Sequence, residues 1–286
     1  MTNILQINRI NKRFPAFHLQ DVSFSIPQGY ILGLIGPNGA GKTTTIKAVL
    51  NMLTLDGGKI QVFGQDHIAD EQKIKERIGV VLDQPYYVEL WTVGEVEKAC
   101  APFYSNWDGQ KYDQLLRRFQ LERRKKVKDL SRGMKMKLMI AVALSHDAQL
   151  LILDEPTSGL DPVSRDELLD ILGEFITDER HGVLFSTHIT TDLEKIADYI
   201  TFMKDGQVHF SGTKDELMER YVMVKGDPAV LTTGQRDCIL GYRKHTTGFE
   251  GLAAVEDVPR LPRDILVEKA TMDEIMVHIY KEGVKS

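Results

Sequence analysis

Apolar residues recur in strand-like runs over residues 4–10, 22–26 and 30–35, and a glycine-rich stretch then gives way to helical spacing over 42–53. This order predicts strand, turn, helix. Further short apolar runs at 78–82, 150–153, 183–186 and 199–203 are flanked by charged stretches of helical character. Strands interleaved with helices predict an α/β core. Between residues 93 and 149 no strand is evident, and the spacing of Val96, Ala99, Phe103, Leu115, Leu116, Phe119, Met136, Leu138, Ile140 and Val142 is helical, which predicts an all-helical insertion. After about residue 220 the pattern changes to a β-like run at 221–224, a turn at 226–228, a strand at 264–268 and a closing helix. That helix opens with Thr271-Met272-Asp273-Glu274, which fits a capping box. A main domain over 1–220 and a small α+β extension over 221–286 are expected.

Composition narrows the class. Of 286 residues, 42% are hydrophobic and 27% charged, which argues for a folded chain and against disorder. Lys and Arg number 36 against 41 Asp and Glu, a net charge of −5, so no global positive excess is available for counterion release and no nucleic-acid partner is expected. The two cysteines, Cys100 and Cys238, form no CxxC pair, which disfavours a disulfide framework or a thiolate metal site and suits a reducing compartment. The first eight residues have no apolar core behind a basic start, so no signal peptide is expected. Apolar runs such as 139–144 fall far short of the roughly 20 residues of a membrane helix. Any membrane role is expected to come through a partner.

Two segments carry chemistry. Gly36-Pro37-Asn38-Gly39-Ala40-Gly41-Lys42-Thr43, followed by Thr44, fits the phosphate-loop pattern G-x-x-x-x-G-K-[ST] directly between a strand and a helix. Glycines let the backbone turn its N–H groups toward a phosphate, and the helix N-terminus adds its positive end. Lys42 would reach the β- and γ-phosphates of a nucleotide and Thr43 would ligate Mg²⁺. The plainer alternative is a glycine-rich turn with an exposed lysine. The run at 150–153 ends in Asp154 and Glu155, at the sheet edge where open α/β sheets bind ligands. Asp154 would hold Mg²⁺ through water and Glu155 would polarise the water attacking the γ-phosphate. A solvated acidic strand end is the competing reading.

With these segments in order, and with Leu130-Ser131-Arg132-Gly133-Met134, Ser158-Gly159-Leu160-Asp161 and Ser186-Thr187-His188 at suitable separations, the chain resembles ATP-binding cassette (ABC) transporter ATPases over roughly residues 4–220. The resemblance implies a P-loop NTPase core with an N-terminal antiparallel β subdomain, a helical signature subdomain and the small C-terminal α+β extension. It further implies that Ser131 and the Gly133 backbone contact the nucleotide of an opposite subunit, and that Asp161 lies across the same contact. His188 would touch the γ-phosphate, and Phe14 would stack on adenine. Implied partners are a second ATP-binding subunit, identical or not, and a separate transmembrane permease, with the chain peripheral at the cytoplasmic face of the membrane. ATP and Mg²⁺ are the implied ligands.

The sequence departs from the family in two places. Arg132 and Met134 replace residues of the usual Ser-Gly-Gly-Gln signature, and Asp83 falls where a glutamine is usual, with Gln84 one position later. Both are competent oxygen ligands, and Gln84 is slightly preferred. Over 117–137 ten basic residues face only Glu122 and Asp129. A solvated helical face explains them, and docking to an acidic partner loop or anionic lipid is the alternative. Trp91 and the pair Tyr86-Tyr87 follow the same loop, where the family docks its membrane subunit. The wording around the phosphate loop, the Arg132 signature and Asp83 resemble exporters of antibiotics, bacteriocins and cytolytic peptides. Competing readings are a soluble ABC-class ATPase acting on ribosomes or DNA, disfavoured by a single phosphate loop and the lack of a heptad run, and a P-loop kinase, which has no use for a signature or His188.

Overall fold

A computed structural model describes residues 2–84 and 86–282, with side chains through Tyr280. The chain runs β1 (Asn3–Phe14), β2 (Phe17–Pro27), β3 (Ile31–Ile35), α1 (Lys42–Val49), β4 (Gly57–Val62), β5 (Gln65–Asp66), α2 (Glu71–Lys75), β6 (Ile78–Val81), α3 (Val93–Cys100), α4 (Gly109–Arg118), α5 (Arg132–Leu144), β7 (Leu150–Asp154), α6 (Pro162–Phe175), β8 (Gly182–Thr187), α7 (Thr190–Ile196), β9 (Tyr199–Lys204), β10 (Gln207–Thr213), α8 (Lys214–Arg220), β11 (Tyr221–Gly226), α9 (Thr233–Arg236), β12 (Ile239–His245), β13 (Gly248–Ala254), β14 (Leu266–Lys269) and α10 (Met272–Glu282). It divides into two units, one continuing through Asp192 and resuming over Ile196–Ser211, the other holding Leu193–Lys195 and the residues from Gly212 onward. α8, placed by the sequence pattern in the main domain, therefore folds with the second unit.

In the first unit, β3 is entirely buried and occupies the interior of a six-stranded sheet in the order β10-β9-β3-β8-β7-β6. Its neighbours β8 and β9 run parallel to it, and β8–β7 and β7–β6 are parallel pairs as well. Strands buried on both faces read as continuous apolar runs, which is why 150–153 and 183–186 were visible in sequence. An antiparallel sheet, β2-β1-β4-β5, forms beside it, with Ile7 opposite both Phe24 and Ile60. Ile4, Leu5, Ile7 and Ile10 of β1 share one core with Leu32, Leu34, Ile46 and Ile152. The helix expected over 42–53 stops at Val49, because Asn51 takes a left-handed φ of +52° that ends a helix. β9 and β10 meet through Asp205 and Gly206, both at positive φ, as a two-residue hairpin requires.

The segment 93–149 is helical up to β7's approach. α3 starts in a Thr92–Glu95 capping box, α4 is capped by Asp108 through the Gln110 and Lys111 amides, and α5 is capped by Ser131 through the Met134 amide. The second unit is a four-stranded antiparallel sheet, β12-β13-β11-β14, packed around Val224, Ile239, Phe249 and Ala253. The Thr271–Glu274 capping box opens α10 as its sequence predicts, with both reciprocal bonds formed.

Candidate functional site

β3 brings the chain to the carboxyl edge of the sheet at Ile35, and residues 36–41 turn it into α1. The turn depends on glycine. A Cβ on Gly36 would lie 2.2 Å from the Met203 carbonyl oxygen, and Gly41 enters α1 at φ +107°. No side chain caps α1, so its leading amides face the loop. Lys42 is 6% exposed; its Nζ donates to the carbonyls of Gly36 at 2.7 Å and Pro37 at 3.3 Å, and lies 3.2 Å from Glu155 Oε1.

Register supplies the rest of the site. β8 lies between β3 and β7, pairing Ile35 with Thr187 and Asp154 with Ser186, so the loop, Asp154 and the end of β8 reach one edge together. Buried Asp154 accepts from Thr43 Oγ1 at 2.8 Å and from Ser186 Oγ at 2.5 Å. A carboxylate taken from water needs such donors. Glu155 then turns off the strand at φ +50°, a strained conformation for a residue with a side chain. Its amide donates to the Ser186 carbonyl at 3.1 Å, and its Oε2 lies 2.7 Å from His188 Nδ1. Glu155 Oε1 is buried without a hydrogen bond, facing the Lys42 ammonium.

A cleft of about 570 Å³ opens over this edge, lined by residues 38–44, Asp83, Asp154 and Glu155, with Ala16 and Phe17 on one wall. The arrangement can bind an extended polyanion, hold a divalent cation, and present to a water a Glu155 carboxylate held by His188. Thr43 and Asp154 offer oxygen only, and among the described residues no cluster of three His, Cys, Asp or Glu forms. Few protein oxygens, completed by phosphates and water, are what Mg²⁺ takes, so the residues present fit that ion.

Other predicted residues lie elsewhere. Gln84, preferred from sequence, does not line this cleft, whereas Asp83 does; the loop after β6 turns between them. Phe14 is 38% exposed at the end of β1 and does not line it either, its ring centroid 6.3 Å from that of Phe17. Ser131 and Gly133 stand at the start of α5, Ser131 as its cap, and neither lines the cleft. Asp161 caps α6, accepting from Val163 N at 3.1 Å and Ser164 N at 3.0 Å; bonds from the Ser164 backbone and hydroxyl hold its carboxyl below the usual range. Sequence reasoning missed Phe17, and it named Ser186 only as part of the Ser186-Thr187-His188 motif, without its role as a donor to Asp154. Within the basic stretch, Arg118 pairs with Glu174, Arg123 with Glu97 and Asp113, and Lys137 with Glu167, which favours an ordinary solvated face for those three charges, while Arg132 reaches Asp83 at the cleft.

A sequence profile of the ABC transporter family matches residues 19–158. An uncharacterised ABC transporter ATP-binding protein of Bacillus subtilis, YdbJ, is 33% identical over 274 residues, covering 92% of this chain and 87% of the relative. The bacitracin transport ATP-binding protein BcrA of Bacillus licheniformis is 30% identical, covering 87% of this chain and 84% of the relative. A solved structure described as the ATP-binding subunit of an ABC transporter superposes with a TM-score of 0.69 at 30% identity, covering 75% of this chain and 91% of that one.

Proposed function

The chain belongs to the ABC transporter family as an ATP-binding subunit and is an ATPase, and from that membership we propose that it powers export of a peptide or drug-like molecule through a separate transmembrane permease. The observation that carries the enzymatic part is the convergence of Lys42, Thr43, Asp154, Glu155 and His188 on one sheet edge. In this reading Lys42 and the amides of residues 38–43 hold the β- and γ-phosphates, with Lys42 exchanging its Glu155 contact for phosphate oxygen. That exchange leaves the Glu155 carboxylate free to take a proton from the attacking water, while His188 fixes the carboxylate's orientation. Thr43 and Asp154 would hold Mg²⁺, which when bound would neutralise charge developing on the phosphoryl oxygens. Asp83, rather than Gln84, offers an oxygen to the cleft, and Phe17, which lines it, is a candidate platform for adenine with Phe14 6.3 Å away.

Closure over the γ-phosphate falls to Ser131 and Gly133 of a second ATP-binding subunit, identical or not, with Asp161 at the same contact. Among the described residues no helix is long and apolar enough to cross a membrane. From family membership, the proposed position is peripheral, at the cytoplasmic face and beneath a permease. Tyr86 at 75% and Leu90 at 64% exposure support a docking surface there. The relative named for bacitracin transport supports a peptide or drug-like cargo.

The test is an affinity pull-down of tagged Glu155→Gln protein, with ATP and Mg²⁺, from detergent-solubilised membranes of the native host. A multi-span membrane protein recovered with it is the expected result. Recovery of ribosomal or DNA-maintenance proteins with no membrane subunit would overturn the proposal.

A further inference from the structure

The two departures from the family pattern, 49 positions apart in sequence, touch each other: Arg132 Nη2 donates to Asp83 Oδ1 at 2.9 Å. The same guanidinium covers Gly159, where an added Cβ would lie 2.8 Å from Arg132 Nη1 and 3.0 Å from Cζ, and where φ is +69°. The positive φ is what calls for glycine at 159, and the Arg132 guanidinium rests against the face a side chain there would occupy. Asp83 borders the phosphate cleft on one side and, on the other, a cleft of about 300 Å³ that Arg132 and Gln84 also line. Two loops and a helix start therefore meet at one side chain: the loop after β6, the loop between Glu155 and α6, and the first residue of α5.

Local electrostatics alone do not account for an arginine here. Arg132 opens α5, where the helix dipole disfavours a cation, and the first turn of α5 holds no acidic residue. Asp83 supplies the missing negative charge. A glycine at 132 would leave Asp83 without this partner, and an uncharged amide at 83 would leave Arg132 at the wrong end of a dipole, so each departure compensates the other.

We propose that Arg132 is a positioning residue that fixes Asp83 at the lip of the phosphate cleft and, by resting on Gly159, ties that lip to the loop carrying Asp161. This rests on the phosphate-cleft reading above. The loop containing Asp83 and the loop leading to Asp161 then move as one with the N-terminus of α5, inside a single subunit.

The experiment combines hydrogen–deuterium exchange on the nucleotide-free protein with steady-state ATPase kinetics, for wild type, Arg132→Ala, Arg132→Lys, Asp83→Gln and the double variant Arg132→Ala/Asp83→Gln. A half-exposed ion pair shifts a local equilibrium by a factor of up to about five. Exchange at residues 82–84 and 158–160 is expected to rise two- to five-fold in Arg132→Ala, with residues 36–43 unchanged. The rate kcat falls about three- to ten-fold with KM for ATP unchanged. Arg132→Lys, which keeps the charge but not the planar contact, recovers part of both. The double variant is no worse than Asp83→Gln, because the two side chains act as a pair. Unchanged exchange at 158–160 in Arg132→Ala, or additive losses in the double variant, would overturn the proposal. A wild type that fails to hydrolyse ATP would instead overturn the reading of the cleft, and the exchange measurements would still decide the role of Arg132.

Discussion

Replacing Glu155 by Gln removes a charge and almost no volume, and the structure gives that change two opposite consequences. The carboxylate holds His188 Nδ1 at 2.7 Å and lies 3.2 Å from the Lys42 ammonium. As the group that accepts a proton from water, its loss costs about 10²–10⁴ in rate, or about 3–5 kcal/mol of barrier at 1.36 kcal/mol per decade. As the counter-charge of Lys42, its loss leaves that ammonium with neutral carbonyl acceptors, those of Gly36 and Pro37 among them, so a phosphate meets less competition and ATP binds more tightly than to wild type. The nucleotide-free protein gives up part of a largely buried ion pair, about 1 kcal/mol, which for a unit of this size lowers Tm by about 2–4 °C. Phosphate release measures the rate, titration calorimetry the affinity, and differential scanning calorimetry the Tm. Turnover within tenfold of wild type would refute Glu155 as the base, and weaker ATP binding would refute the competition for Lys42.

Lys42→Ala deletes the cation at the head of the phosphate loop and is expected to weaken ATP binding by about 10- to 100-fold, the worth of a hydrogen bond to a charged group; an unchanged Kd by calorimetry contradicts the assignment. Gly206→Ala places a Cβ 1.9 Å from the His18 carbonyl oxygen at φ +78°, so a loss of roughly 2–4 kcal/mol is expected, measured as a fall in the urea midpoint at unchanged slope. Burial pushes the pKa of His146 below 6.5; its ring stacks on Tyr104 with centroids 3.7 Å apart and its Nε2 finds no hydrogen bond. The unfolded chain therefore binds the proton more readily, and this contribution to stability is complete above about pH 6.5 and lost as pH falls below it. Buried His67 acts with the same sign, so His146→Phe is expected to flatten the pH dependence of Tm without abolishing it, and an unaltered curve would refute the role of His146.

What the sequence by itself determined is local. The loop at 36–43, the strand ending in Asp154 and Glu155, the helical stretch after residue 93 and the Thr271 capping box were all legible, because a phosphate loop, a doubly buried strand and a helix start each write their requirement into adjacent residues. The strands at 57–62, 207–213 and 239–254 were not legible. Their burial alternates or is partial, and β4 is completed by pairing with the sequence-distant β1. Residue choices at the site were decided by tertiary structure for the same reason. Whether Asp83 or Gln84 borders the cleft depends on how one loop turns, and whether Phe14 or Phe17 forms its wall depends on where β1 ends and β2 begins. The Arg132–Asp83 contact exists only because α5 packs beside β6 and brings its first residue to the loop that follows that strand. Periodicity records which side of one element is buried, and it contains no term for which distant side chain waits on the other side.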